Sequence, residues 1–292
     1  MRPFLLKFCS LFFIVTFLTA ELSGCGKTYD GIAISNSSEI SEGIRTIMLH
    51  RGYSARISFS SHLLNDDEVA SIVDGLMDEA FYESEASQGG DYLRYQYGGY
   101  SMTHSASKSF LKYVYTIKIV PNYYTSVGEE EAVDELVKEA IESSKLNKDS
   151  SDYDKIKWVH DYICDTVDYD TVHKHTPGSG HVQSTAFGAL TYHTALCQGY
   201  AVLCYRLLKE LGVDTRIVTG QAVVADKSER HAWNIVAIDG QYYNLDVTID
   251  DVNSSFEYFL KTDEDFSVDH SRDDKYLSQE FYDNYPMAKE NY

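Results

Sequence analysis

Basic residues are scarce in this sequence. Lysine and arginine together number 25 against 45 aspartates and glutamates, which gives a formal net charge of −20. Because nucleic-acid phosphates are bound through basic surfaces, this shortage argues against a nucleic-acid partner. Nothing in the composition is typical of a disordered or fibrous chain. The 292 residues, 43% of them hydrophobic, are enough for one large domain or two small ones.

Long apolar runs are also lacking. The segment FCSLFFIVTFLTA is too short for a comfortable membrane span, and it follows Arg2 and Lys7, as in a secretory signal peptide. The next residues, LSGC, resemble the lipobox of bacterial lipoproteins. That resemblance implies that residues 1–24 are a signal peptide, and that Cys25 carries lipid and holds the exported chain on the outer face of the bacterial cell membrane. An ordinary signal peptide with a chance cysteine is the alternative.

Cysteine is infrequent, with five in the chain. If Cys9 leaves with the signal peptide and Cys25 is acylated, Cys164, Cys197 and Cys204 remain, so at least one thiol is free. Cys197 and Cys204 are seven residues apart on a predicted helix, a rise of about 10 Å that exceeds the reach of a disulfide. A Cys164–Cys204 bridge remains open, and it would leave Cys197 as the odd thiol.

Two folded parts are expected after a polar tether over residues 25–50. Asn65 and Glu68 form a capping-box pattern before a helix, and the tyrosine-rich segments DYLRYQYGGYSM and KYVYTIKIV alternate as strands do. The order β-α-β-β-α predicts a small α+β domain over residues 51–147. The polar break NKDSSD then leads into a second domain over residues 148–292.

Patterns that favour a metal are incomplete. His173, His175 and His181 lie close together, but no cysteine or acidic residue completes a zinc-ligand spacing. The acidic run DEDFSVDHSRDD has no coordination spacing either, and we interpret it as a solvated acidic face. We therefore expect neither a metal nor a cofactor.

The segment ALCQGYAVLCYRLLKELG predicts a helix with an apolar face and a stop at Gly212. Thr194 is the predicted N-cap. Cys197 lies in the first turn, where the helix end favours anions and can lower the pKa of a thiol. Cys204 lies two turns deeper and is expected to be inert core.

A predicted hairpin supplies partners for Cys197. The β-rich runs HAWNIVAI and QYYNLDV are joined by Asp-Gly at 239–240, a strong signal for a two-residue turn. That turn pairs Ile238 with Gln241, and the same register places His231 and Asp246 on one face as diagonal neighbours. An aspartate at this distance can orient an imidazole, and a thiolate–imidazolium pair is a competent nucleophile.

Three segments of the sequence together resemble the bacterial transglutaminase-like superfamily. They are ALCQGYAVLCYRLLKELGVDTRIVTG, HAWNIVAIDGQYYNLDVTIDD and YFLKTDEDF, and the similarity covers about residues 150–270. The resemblance implies an α+β fold with a papain-like core, in which Cys197 is the nucleophile, His231 the general base and Asp246 its orienter. Ile249 stands where such sequences often have tryptophan, which leaves the shape of the substrate groove open.

The expected activity is cell-surface acyl transfer on protein, peptide or cell-wall amides. Backbone N–H groups at the helix start would hold the oxyanion, and Gln198 is a candidate for an additional donor. Hydrolysis by a peptidase or amidase and transfer to an amine are both open. The alternative is a non-catalytic surface binding module on the same fold. The oligomeric state is not predicted.

Overall fold

The computed structural model describes residues 16–21, 29–34, 37–147, 149–173, 181–224 and 227–292. These residues form two compact units. The first contains the described residues up to Tyr82 together with Tyr97–Tyr123, and the second contains Glu83–Gln96 together with Tyr124–Tyr292. Helices combine with antiparallel sheets, so the predicted α+β class is confirmed. No helix within the described ranges is both long and apolar enough to cross a membrane.

The first unit is built on a five-stranded sheet with the order β2-β1-β3-β5-β4. Its elements are β1 (Thr16–Glu21), β2 (Tyr29–Ile34), α1 (Ser37–Leu49), β3 (Ser54–Ser61), α2 (Asp66–Ala80), β4 (Tyr97–Ser109) and β5 (Lys112–Tyr123). Alternate side chains of the central strands β3 and β5, such as Ile57 and Ile117, are fully buried. This alternation is what a sheet with one covered face requires.

The start of α2 follows the predicted capping box. The side chain of Asn65 accepts from the backbone N–H of Glu68 at 2.9 Å, and the Glu68 carboxylate accepts from the backbone N–H of Asn65 at 2.9 Å. Two N–H groups that the helix itself cannot satisfy are therefore paired.

The tether expected over residues 25–50 is wrong for its second half. Ser37–Leu49 form α1, in which Ile40, Ile44 and Ile47 are buried. Their spacing places them on one helical face, and burying that face stabilises the helix. Part of the predicted signal peptide lies in β1, whose Ala20 pairs with Ala55 of β3. Cys25 lies outside the described residues.

The second unit contains the following elements: α3 (Gly90–Tyr95), α4 (Val127–Ser144), α5 (Asp152–Thr166), β6 (Asp168–Tyr169), α6 (Ala186–Tyr192), β7 (Thr194–Ala195), α7 (Cys197–Glu210), β8 (Thr215–Val224), β9 (Lys227–Ile238), β10 (Gln241–Leu245), α8 (Val247–Asn253), α9 (Asp263–Phe266), β11 (His270–Arg272) and α10 (Gln279–Asn284). Its main sheet has the order β10-β9-β8-β11, and β6 pairs with β7 in parallel. Helix α7 is buried along most of its length, and Asn234 of β9 donates to the carbonyl of Ala201 at 3.1 Å.

The boundary between the units differs from the expected break at residue 147. Helix α4 belongs to the second unit because Val133 and Val137 pack into the same core as α7. The segment predicted to be a strand from Asp91 instead begins with α3. The Asp91 carboxylate accepts hydrogen bonds from the Arg216 side chain at 2.7 Å and from the backbone N–H of Ile217 at 2.8 Å. These bonds hold the segment against β8.

The hairpin of β9 and β10 has the predicted register. Ile238 pairs with Gln241, and Leu245 pairs with Asn234. Asp239 and Gly240 form the turn with φ values of 50° and 78°, a backbone region that aspartate and glycine tolerate better than most residues.

Candidate active site

Helix α7 begins at Cys197. Its N-cap is Leu196, whose apolar side chain cannot accept from the first-turn N–H groups, and the predicted N-cap Thr194 lies in β7 instead. The half-buried thiol of Cys197 therefore stands at the positive end of the helix dipole.

The loop before α6 approaches the start of α7 very closely. The backbone N–H of Leu196 donates to the carbonyl of Gln183 at 2.8 Å. A Cβ atom at Gly199 would lie 2.3 Å from that same carbonyl oxygen. Only glycine fits at position 199. Because it has no side chain, the Gln183 backbone can lie against the first turn of α7 and hold the helix end that carries Cys197.

His231 and Asp246 meet as the hairpin register predicts. Nε2 of His231 donates to Oδ2 of Asp246 at 2.6 Å, and the carboxylate is fully buried. This bond leaves Nδ1 of His231 for Cys197. Burial alone would lower the pKa of His231, but the charge and hydrogen bond of Asp246, followed by the contact with Cys197, raise it to about 10. The imidazolium is thus favoured beside the thiol.

Asp246 is anchored by the backbone as well as by His231. It is the N-cap of α8, and its Oδ1 accepts from the backbone N–H of Ile249 at 3.1 Å. Burial alone would raise the pKa of Asp246, but the charges and hydrogen bonds of His231 and His270 hold it well below its usual range. The carboxylate therefore stays ionised in a buried site.

A second histidine, which no sequence pattern indicates, contacts the same carboxylate. Nε2 of His270 lies 3.1 Å from Oδ2 of Asp246, and Nδ1 lies 2.6 Å from Oδ1 of Asp269. His270 is buried, although it belongs to the acidic run that we interpreted as a solvated face. That interpretation is wrong at this position. No local pattern marks His270, because its place depends on the pairing of β11 with β8.

Gly220 and Ala222 of β8 pair with the two histidines on the neighbouring strands. His231 pairs with Gly220 and His270 pairs with Ala222, so all four share one face of the sheet. The two rings flank β8, and their centroids are 5.8 Å apart. A Cβ atom at Gly220 would lie 1.9 Å from the backbone carbonyl oxygen of Ser271, so glycine at this position lets β11 lie close to β8.

Aromatic rings enclose the buried side of this cluster. The ring of Phe266 lies 3.9 Å from the ring of His270, and Trp233 lies 5.3 Å from His270 and 6.2 Å from His231, between centroids. Trp233 and Phe266 are both buried. These walls lower the local dielectric, which strengthens the hydrogen bonds to Asp246.

The spacing of His231, Asp246 and His270 would also suit a metal ion. One potential ligand atom from each residue lies within 4.8 Å of those from the other two. In the described part of the chain, these three residues are the one group of three or more histidine, cysteine or acidic side chains with this spacing. Hydrogen bonds between the same groups account for the arrangement without an ion.

The histidines that lie close together in the sequence contact different residues in the structure. Nδ1 of His173 lies 2.7 Å from the Asp170 carboxylate, while the ring of His181 stacks on Tyr124 at 4.9 Å. His175 lies outside the described residues.

Gln198 is not placed as expected. Its Nε2 atom donates to the backbone carbonyls of Tyr95 at 2.8 Å and of Ser184 at 3.3 Å. Both amide hydrogens are therefore engaged by the backbone, and the expectation of an additional oxyanion donor at Gln198 is wrong.

The remaining cysteines differ from Cys197. In the described part of the chain Cys164, Cys197 and Cys204 are all free thiols, so the Cys164–Cys204 bridge is not formed. Cys204 is fully buried, as predicted, and burial raises its pKa. Cys164 lies 3.9 Å from His160, but burial and then the nearby carboxylates raise its pKa to about 12. Neither thiol is placed to ionise near neutral pH.

Three known proteins are similar to this chain. The human protein named Kyphoscoliosis peptidase is 26% identical over 174 residues, which is 52% of this chain and 25% of that protein. A solved transglutaminase (TGase) structure has 18% identity and a TM-score of 0.37, over 65% of this chain and 50% of the other. A candidate cysteine protease from Cytophaga hutchinsonii has 17% identity and a TM-score of 0.33, over 52% of this chain and 65% of the other. The chain thus spans a quarter of the human protein.

The residues that match a known protein family include those of the candidate site. Residues 139–247 match the core model of the transglutaminase-like superfamily. This range runs from the end of α4 to the first residue of α8, and it includes Cys197, His231 and Asp246. Residues 139–247 of this chain are therefore similar to the core of the transglutaminase-like superfamily.

Proposed function

We propose that this protein is a cysteine-dependent enzyme that transfers the acyl group of a protein, peptide or cell-wall amide. The observation that carries the proposal is the position of His231, which lies between the buried Asp246 carboxylate and the thiol at the start of α7. The similarity of residues 139–247 to the transglutaminase-like core supports cysteine-dependent chemistry.

The proposed reaction has two acyl-transfer steps. The Cys197 thiolate attacks the amide carbonyl, and backbone N–H groups at the start of α7 hold the oxyanion. His231 gives its proton to the leaving amine as the C–N bond breaks, which leaves a thioester on Cys197. Water or a second amine then attacks the thioester, His231 accepts the proton of that nucleophile, and the thiolate is released. Water gives hydrolysis, and an amine gives a cross-link.

His270 is proposed as a positioning residue for this reaction. It does not contact the thiol, but its hydrogen bond fixes the carboxylate that orients His231. Asp246 thus has one oxygen held by the backbone of α8 and the other shared by two imidazoles. Rotation of the carboxylate would break three hydrogen bonds at once.

Alkylation of the three thiols tests the activation of Cys197. With iodoacetamide at neutral pH, Cys197 is expected to react fastest and Cys164 and Cys204 slowly. The His231→Ala variant should slow Cys197 without changing the other two, which serve as internal controls. Equal rates at all three thiols would contradict the proposal.

An amide panel distinguishes the enzyme from a binding module. Release of ammonia or of a peptide amine, lost in Cys197→Ala, supports catalysis, and incorporation of a fluorescent amine separates transfer from hydrolysis. Binding that survives Cys197→Ala, without turnover of any amide, would favour the non-catalytic module.

We also propose that the chain is exported and anchored by lipid at Cys25, which rests on the LSGC motif. Cleavage before Cys25 would remove β1, which lies between β2 and β3 in the first sheet, and would leave β2 without its partner strand. Labelled palmitate incorporated by the wild type and not by Cys25→Ser is the expected result. An unlabelled wild-type chain in the culture medium would indicate an ordinary signal peptide instead.

A further inference from the structure

The hairpin of β4 and β5 in the first unit has a charge opposite to that of the whole chain. No acidic residue occurs in the sequence between Asp91 and Glu129, although the chain has 45 acidic residues. The hairpin carries Lys108, Lys112 and Lys118. It is therefore a basic segment on a strongly acidic protein.

Two bulky apolar residues form the tip of this hairpin. Phe110 and Leu111 connect the last strand pair, Ser109 with Lys112, and they are 98% and 96% exposed. Phe110 has a φ of 53°, a left-handed conformation that bulky residues rarely adopt and that glycine or asparagine usually supplies. A polar turn would be favoured in water. The residues of this tip and its backbone conformation therefore both differ from those of an ordinary hairpin turn. Such departures are expected at functional sites.

The tip is also accessible. Residues 103–111 are all exposed, which means that the end of β4 and the turn have little covering them within their own unit. Lys108 lies in this exposed part, and Lys112 begins the returning strand. The apolar pair is thus flanked on both sides by a lysine.

We propose that this hairpin tip inserts into the surface of an anionic lipid bilayer. Phe110 and Leu111 enter the boundary between headgroups and acyl chains, while Lys108 and Lys112 contact lipid phosphates. The net charge of −20 repels an anionic surface, so the basic hairpin is where contact is favourable. Two apolar residues are too few for the core of a standard protein–protein interface, which favours the bilayer over a protein partner.

This inference is independent of the proposed enzyme activity and of lipid at Cys25. It concerns residues 108–112, which are in the first unit, whereas Cys197, His231 and Asp246 are in the second. The contact alone is expected to be weak and reversible, because stable anchoring of a peripheral protein takes more than one signal.

Co-sedimentation of the full chain with vesicles tests the proposal. Binding is expected with vesicles of phosphatidylcholine and phosphatidylglycerol, weaker with phosphatidylcholine alone, and reduced by salt. Phe110→Ser with Leu111→Ser, and separately Lys108→Glu with Lys112→Glu, should each lower the partition coefficient at least about tenfold. Val268→Ser is the matched control, since Val268 is 84% exposed but lies among acidic residues, and it should leave binding unchanged.

A second measurement reports on the tip itself. Leu111→Trp should add a fluorescence component that shifts to shorter wavelength and resists aqueous quenchers when anionic vesicles are added. Circular dichroism of each variant confirms that it is folded. The proposal is overturned if the emission of the introduced tryptophan does not respond to vesicles, or if tip variants and Val268→Ser bind alike.

Discussion

Nε2 of His270 lies 3.1 Å from Oδ2 of Asp246. The same oxygen accepts from His231, so a residue on β11 and a residue on β9 are joined through one buried carboxylate. Loss of either imidazole leaves Asp246 with fewer donors in a site that water does not reach. Buried carboxylates are costly without donors, so the second histidine supports the orientation of the first.

His270→Leu is expected to lower the alkylation rate of Cys197 by roughly 10- to 100-fold, because a hydrogen bond to a buried charge is lost. His270→Gln keeps a donor near the same place and should retain most of the rate. The measurement is the alkylation rate against pH for both variants, with unfolding midpoints as the control. If the glutamine variant lost as much rate as the leucine variant, His270 would have only a packing role.

The pH dependence of stability should report His231. Its pKa is raised from 6.5 to about 10 in the folded protein, so it stabilises the native state fully below pH 6.5 and loses this contribution as pH rises through about 10. The difference in unfolding free energy between wild type and His231→Gln is expected to shrink over this range. Urea unfolding at pH 6, about 8 and about 10 measures it. A constant difference over that range would contradict the assignment.

Gly199→Ala should disturb the start of α7. The added Cβ would lie 2.3 Å from the Gln183 carbonyl and 2.9 Å from Cβ of Ala195, so the helix end or the loop must shift. We expect slower alkylation of Cys197 and a lower unfolding midpoint. Gly75→Ala is the matched control, because nothing lies within 4 Å of a Cβ added there, and alanine favours a helix interior.

Asp91→Ala should destabilise the second unit by about 3–5 kcal/mol, since it leaves a largely buried arginine without its main partner. The Asp91 carboxylate accepts from Arg216 at 2.7 and 3.1 Å and is 1% exposed. Chemical denaturation measures the loss.

Arg230→Ala serves as the control for that measurement. The Arg230 side chain pairs with Asp273 at 2.6 Å but is 63% exposed, and exposed pairs contribute less than about 1 kcal/mol. Equal destabilisation by the two substitutions would show that the Asp91 pair is not a buried anchor.

The sequence predicts the pairing of His231 with Asp246 because one turn determines it. Asp-Gly at 239–240 sets the register, and the alternation of side chains carries that register to both residues. The position of Cys197 in the first turn of a helix is also predicted, since a helix start is a local feature. These are short-range consequences of the chain.

His270 and the unit boundary could not be predicted in this way. His270 depends on β11 pairing with β8, between residues 270 and 222, and its neighbours in sequence are polar and acidic. The boundary depends on which hydrophobic core the apolar face of α4 packs against. The spacing of apolar residues along a helix does not indicate which core that is. Helix α1 differs, because Ile40, Ile44 and Ile47 already mark a helical face in the sequence.

The turn at 239–240 also separates the parts of the hairpin that can change in length from those that cannot. Additional residues at the turn can loop out into solvent and leave the pairing behind them unchanged. One additional residue between His231 and Ile238 would turn His231 to the opposite face of the sheet, away from Asp246. Among relatives that retain this histidine and aspartate, insertions and deletions should therefore occur at the turn, and both strands should keep their lengths.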